Sequence, residues 1–123
     1  MGELIRSHRD LLVWQKGMDL AADVYRLSRR WPKEEIYGLT SQARRAASSI
    51  PANIAEGYGR QSAASYAQFL KVARGSLNEL ETHLLLAERI GLAPPGSCTE
   101  ILAQVDELGR MLGGLLKAVA RNK

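Results

Sequence analysis

Two histidines, His8 and His83, and a single cysteine, Cys98, are the side chains best suited to nucleophilic, acid–base or metal chemistry in this sequence. A zinc site needs three or four Cys, His or carboxylate ligands, and no spacing here supplies them. A di-iron site in a helical protein would need Glu-x-x-His twice, with two further glutamates facing inward. His83 has only Glu79 and Glu81 nearby, which does not make that pattern. Its spacing from Glu79 is that of an ordinary helix-surface pair, and a serine-histidine-acid set would have to be invented. Cys98 sits near a helix start, where thiol pKa values fall, but no base accompanies it, and it reads as a small residue in a cap. The EGYGR run at 56–60 lacks phosphate-loop spacing and follows no strand. No catalytic residue, metal or cofactor is expected, and the chain does not read as an enzyme.

Two polar groups remain. Ser49, Asn53, Glu56 and Arg60 are spaced four, three and four apart and fall along one helix face. The plainer reading is a polar network bracing Pro51, with Ser49 or Asn53 satisfying groups that the proline leaves unpaired. The other is a row that contacts a ligand. The second group is basic. Arg26, Arg29 and Lys33 share a face at the end of a first helix, and Arg44 and Arg45 lie early in a second. Arg60, Lys71 and Arg74 surround the turn into a third. Gathered at one rim, these eight would suit phosphate contacts, which position nucleic acid without reading bases. A solvated face with intersubunit ion pairs is the alternative.

The elements that must hold these residues are helical. Residues are 46% hydrophobic but only 6% aromatic, which favours helices packed through small side chains over a sheet. A first helix over about 12–30 carries two adjacent apolar stripes, one through Trp14, Met18, Ala21 and Tyr25 and one through Val13, Leu20, Val24, Leu27 and Trp31. That face is wider than a surface helix needs. Asp10 is its expected N-cap and Pro32 its stop. A second helix, about 39–57, keeps the register Ala43-Ala47-Ile50-Ile54 through Pro51, so one kinked helix is expected there rather than two. Gly57 and Gly59 end it by adopting positive φ. Ser62 caps a third helix over about 62–90, where Gly75 suggests a close crossing. Ser97-Cys98-Thr99-Glu100 has capping-box spacing and opens a fourth, about 98–120.

The 123 residues make one domain. Residues 1–10 are expected to be a flexible N-terminal segment and 11–123 an all-α, antiparallel up-down four-helix bundle. Charge is unevenly spread: residues 1–74 hold 12 Lys/Arg against 7 Asp/Glu, whereas residues 75–107 hold one arginine against six acids. Such asymmetry steers nucleic acid, or pairs helices or subunits with each other. A single cysteine, no apolar leader and no apolar run near ~18 residues point to a cytoplasmic chain with no membrane partner.

The run YGLTSQARRAASSIPANIAEGYGR at 37–60 resembles the 23S rRNA-intervening sequence proteins, with support from DLLVWQKGMDLAADVY at 10–25, WPKEE at 31–35 and FLKVARGSLNELETHLLLA at 69–87. The resemblance implies a four-helix bundle, assembled in known members as a homopentamer around a central channel. It extends to the accessory protein of diversity-generating retroelements, a basic pentamer that binds reverse transcriptase and nucleic acid. Ser49, Ile50, Asn53, Ile54, Ala55, Glu56 and Gly57 match the family's signature, and Arg44 and Arg45 its basic pair; none is an established catalytic residue. Gly17 and Pro51 depart from it, standing where the family commonly has alanine and a non-proline residue. The expected function is therefore a non-enzymatic homo-oligomer that binds RNA or DNA phosphates through a basic surface. The alternative is a structural or protein-interaction module that binds no nucleic acid.

Overall fold

A computed structural model of the protein describes residues 4–121. Its architecture is all-α, with four helices and no strand among the described residues: α1 Leu12–Ser28, α2 Leu39–Tyr58, α3 Ala63–Arg89 and α4 Thr99–Arg121. Each helix packs on two neighbours, α1 on α2 and α4, and α3 on α2 and α4. Named contacts set the registers. Arg44 bonds Ser28 and Gly17 faces Pro51 between α1 and α2, while Ser49 meets Ser76 and Gly57 meets Phe69 between α2 and α3. Gly109 faces Leu77 between α3 and α4, and Gln104 bonds Asp23 between α4 and α1. One core fills the middle, with Leu20, Val24, Ile50, Ile54, Leu70, Leu80, Leu84, Leu108 and Leu112 all but inaccessible to solvent.

Of the expected N-terminal segment 1–10, residues 1–3 lie outside the described residues, and local bonds shape 7–10. His8–Asp10 forms one 3-10 turn, capped by Ser7 Oγ, which accepts from Arg9 N. His8 packs edge-on against Trp14. Asp10 is not the α1 cap: its carboxylate is turned back to accept from Arg6 N at 2.9 Å, and Leu11 holds the cap position without a side-chain bond. α1 also ends at Ser28, two residues before the expected end. Arg30 N and Trp31 N bond Leu27 O and Ser28 O, a tightening that carries Trp31 into the core just before Pro32 excludes further α-conformation.

α2 is a single helix through Pro51. Its start is capped from the preceding turn by Glu35 Oε1, which accepts from Leu39 N at 3.1 Å. Buried Ala43, Ala46 and Ala47 let its backbone lie close to its neighbours. Gly57 does not adopt positive φ, and neither does Gly59, with φ −76°. Close approach is what Gly57 provides: a Cβ there would stand 2.8 Å from Phe69 Cβ and 3.1 Å from Tyr66 Cδ1. Gly75 has the opposite character, with no atom within 4 Å of an added Cβ, so no close crossing within the chain explains it.

Ser62 caps α3 as expected, its Oγ accepting from Ser65 N at 3.1 Å. α3 ends on Gly91 at φ +78°, with Leu92 N bonding back to Ala87 O. The start of α4 is not held by a Ser97–Glu100 box. Ser97 Oγ donates to Pro94 O, and the loop entering α4 is held from the end of α3 by Glu88, whose carboxylate accepts from Gly96 N at 2.9 Å and Cys98 N at 3.0 Å. Those two amides hold the Glu88 carboxyl below the usual carboxylate range.

Candidate nucleic-acid interface

The signature stretch of α2 divides into a buried half and an exposed half. Ile50, Pro51, Ile54 and Gly57 are buried, whereas Ser49 and Asn53 are half-buried at the α3 side. Asn53 Nδ2 donates to Ser49 O at 2.8 Å and to Ser49 Oγ at 2.9 Å, and Ser49 Oγ lies 2.9 Å from Ser76 Oγ. This network ties α2 to α3, but it does not repair the proline. The carbonyl that loses its helical donor at Pro51 is that of Ala47, four residues earlier, and Asn53 reaches Ser49 instead. Glu56 and Arg60 stand apart from the network as an exposed pair at 3.5 Å. On the other side of α2, Gly17 of α1 faces Pro51: an added Cβ would lie 3.5 Å from Pro51 Cβ, an ordinary contact distance. The two family departures noted in the sequence are thus one contact.

The basic residues do not gather at one rim. The bond between Arg44 and Ser28 puts the start of α2 beside the end of α1, so Arg26, Arg29, Lys33, Arg44 and Arg45 share one end of the molecule. Arg60 lies beyond the far end of α2, which at 20 residues is ~30 Å long. Lys71 is exposed on α3. Arg74 lines a groove between α3 and α4 together with Glu81, Asp106 and Arg110, a mixed-charge setting.

Within the first set the cations differ in freedom. Arg44 is committed: Nε donates to Ser28 Oγ at 2.8 Å and the guanidinium stacks 4.9 Å from the Tyr25 ring centroid. Arg26 pairs with Asp23 at 2.6 Å, an exposed contact of the kind worth ~0–1 kcal/mol, so the cation can be exchanged onto a phosphate. Arg29, Lys33 and Arg45 are exposed. Arg60 is held twice, by Glu56 and by the Phe69 ring at 4.7 Å.

A family model described as 23S rRNA-intervening sequence protein matches residues 9–114. The chain belongs to this family. Among solved structures it is similar to a protein of unknown function from the S23 ribosomal protein family of Bacteroides thetaiotaomicron VPI-5482. The two are 25% identical, with a TM-score of 0.77 over 86% of this chain and 99% of that one. Comparison with curated proteins returns no significant match.

In this 23S rRNA-intervening sequence protein, His8, His83 and Cys98 lie on three separate segments, the turn before α1, α3 and the loop ahead of α4. No three His, Cys, Asp or Glu side chains come together to hold a metal among the described residues. Cys98 is fully buried, and burial pushes its thiol up rather than down, the reverse of what a helix start alone would do. His83 Nε2 stands 3.5 Å from Glu79 Oε2, close without a hydrogen bond. Tyr37, 95% exposed in the connection between α1 and α2, was not singled out by its sequence position. It lies off every apolar stripe, and that isolation was the available signal. An exposed aromatic ring in the same connection as Lys33 is a group on which single-stranded nucleic acid can stack. No described helix is long and apolar enough to cross a membrane.

Proposed function

We propose that this protein is a non-enzymatic, homo-oligomeric subunit, an antiparallel up-down four-helix bundle that assembles as a homopentamer in the cytoplasm and binds RNA or DNA phosphates. The observation that carries the nucleic-acid reading is that Arg29, Lys33 and Arg45 are exposed on the segments that flank the Arg44–Ser28 contact, with Tyr37 exposed in the same connection as Lys33. Arg44 positions that surface through Ser28 and Tyr25 rather than meeting phosphate itself. Arg60, Lys71 and Arg74 are secondary contacts at most, because the first is paired and the last sits among carboxylates. Several copies of one weak phosphate patch gain strength when presented together.

Self-association is supported by the surplus apolar stripe of α1. Trp14, Met18 and Tyr25 border a groove of about 400 Å³ against Pro51, Ala52 and Ala55 of α2. Opposite directions for successive helices are supported by paired contacts, Ser28–Arg44 with Gly17–Pro51 for α1 and α2, and Ser49–Ser76 with Gly57–Phe69 for α2 and α3. The groove also favours the second reading, a module whose partner is another polypeptide.

The test is salt-dependent binding of single-stranded and duplex RNA and DNA by the wild type and two variants. Replacing Arg29, Lys33 and Arg45 by glutamate should abolish binding, and replacing Lys71 and Arg74 should reduce it far less. Equal, negligible binding by all three proteins overturns the nucleic-acid reading and leaves the interaction module. Native mass spectrometry of wild type and Met18→Glu reads the assembly: five copies falling to one supports the groove as the subunit contact, and a wild-type monomer overturns it.

A further inference from the structure

We propose that the cleft between α2 and α3 binds a small zwitterion of the α-amino-acid class. The cleft shares Arg45 with the basic surface, but the proposal rests on other observations, its polar lining and its hydrogen-bonded floor. The cleft has a volume of about 580 Å³ and is lined chiefly by polar groups: Gln42, Arg45, Ser48 and Ser49 from α2, and Ser76 and Glu79 from α3. That volume falls in the range of small-molecule sites. The small Ala46 and Ala52, also in the wall, leave it open.

Its floor is a pair of hydroxyls with a proton to give. Ser49 Oγ and Ser76 Oγ, 2.9 Å apart, share one hydrogen, and Ser49 Oγ also accepts from Asn53 Nδ2. Two hydroxyls carry two hydrogens, so whichever serine donates to the other, one O–H is left over. Asn53 is itself fixed by two bonds to Ser49, which holds the floor in place. The walls carry one charge of each sign. Ser49 faces Ser76, and Gly57 faces Phe69, so residues before Ser49 on α2 lie opposite residues after Ser76 on α3. Arg45, four residues before, and Glu79, three residues after, therefore stand at about the same level, roughly one turn or ~5 Å from the floor. Both line the cleft, yet no ion pair joins them; Glu79 is backed instead by His83 Nε2 at 3.5 Å.

A guanidinium and a carboxylate facing across a gap, above a spare hydroxyl donor, select against most ligands. A simple anion meets Glu79, a simple cation meets Arg45, and an apolar molecule strands the floor's polar groups. A zwitterion satisfies all three: its carboxylate accepts from Arg45 and the spare O–H, and its ammonium donates to Glu79.

The experiment is calorimetric titration of the full chain with the twenty free amino acids, followed by the N-acetyl and C-amide derivatives of the best binder. Saturable binding of at least one free amino acid, weakened about tenfold or more when either charge is blocked, is the expected result. Glu79→Gln should erase the preference over the N-acetyl form, and Arg45→Gln the preference over the amide. Ala52→Trp should block binding by filling the cleft with both charges intact, and circular dichroism melts establish that each variant is folded. No saturable binding by any amino acid, or equal binding of free and doubly blocked forms, overturns the proposal.

Discussion

α2 has two neighbours and two kinds of surface. Towards α1 it presents Pro51, Ala52 and Ala55 to Trp14, Met18 and Tyr25, an almost wholly apolar groove. Towards α3 it presents Gln42, Arg45 and Ser49 to Ser76 and Glu79, a polar cleft with a hydrogen-bonded floor. Ser48 and Ala52 border both. The contacts beneath differ as well. On the α3 side Gly57 is pressed against Phe69 with no room for a methyl group, while on the α1 side Gly17 meets Pro51 at ordinary contact distance. One helix thus has a tight, polar partner and a looser, apolar one, and the glycine on each side plays a different part.

The largest effect should come from breaking the tight side. In Gly57→Ala, the new methyl must displace Phe69 Cβ or part the helices, so we expect a loss of roughly 1–3 kcal/mol in chemical denaturation. Next comes the polar floor. Asn53→Ala removes two bonds to Ser49 and should cost about 1 kcal/mol. Repeating the change in a Ser49→Ala background should cost less, because part of the interaction is already gone. The same substitution as at Gly57, made on the loose side, should reverse sign: Gly17→Ala gains helix propensity at a site with room for it and should stabilise by up to ~1 kcal/mol. Equal losses at the two glycines would dissolve the contrast between the sides.

A control lies outside α2. The Glu88 carboxyl is held below the usual carboxylate range by the Gly96 and Cys98 amides. Its contribution is fully present above the ordinary carboxylate pKa and is lost as pH falls through the lowered value. Glu88→Gln should therefore lower the melting temperature at neutral pH by an amount that shrinks towards zero in acid. The effect of Asn53→Ala has no such pH dependence, since none of its partners titrates.

How far the sequence carried follows from which interactions are local. The register Ala43-Ala47-Ile50-Ile54 was enough to run one helix through Pro51, and Ser62 marked its own helix start, because both are written within a few residues. Asp10 and the Ser97–Glu100 spacing were misleading for the same reason: each fits a local rule, but Arg6 N takes the Asp10 carboxylate, Ser97 Oγ turns to Pro94 O, and Glu88 holds the loop amides ahead of α4. Glu88 itself reads as a solvated residue on the wet side of α3. Ser76 carries no sign that it will meet Ser49 twenty-seven positions away. The basic residues were legible as a set by charge, but not their division between the ends, which depends on how the helices turn back on one another. Gly57 was legible as important and its reason was not, since the Phe69 contact exists only after α2 and α3 have paired.

Glu88 also fixes an order of events. Its carboxylate spans only eight and ten residues to Gly96 and Cys98, a loop whose closure costs little entropy, so the α3–α4 corner can form before the rest of α4 has docked. The remainder of α4, with Gly109, Gly113 and Gly114 in its middle, is held by packing through Leu112, Leu116 and Val119. Local unfolding of the last helix should accordingly begin at its C-terminal end and travel back towards the corner, with amide hydrogen exchange slowest near Ile101 and fastest near Arg121.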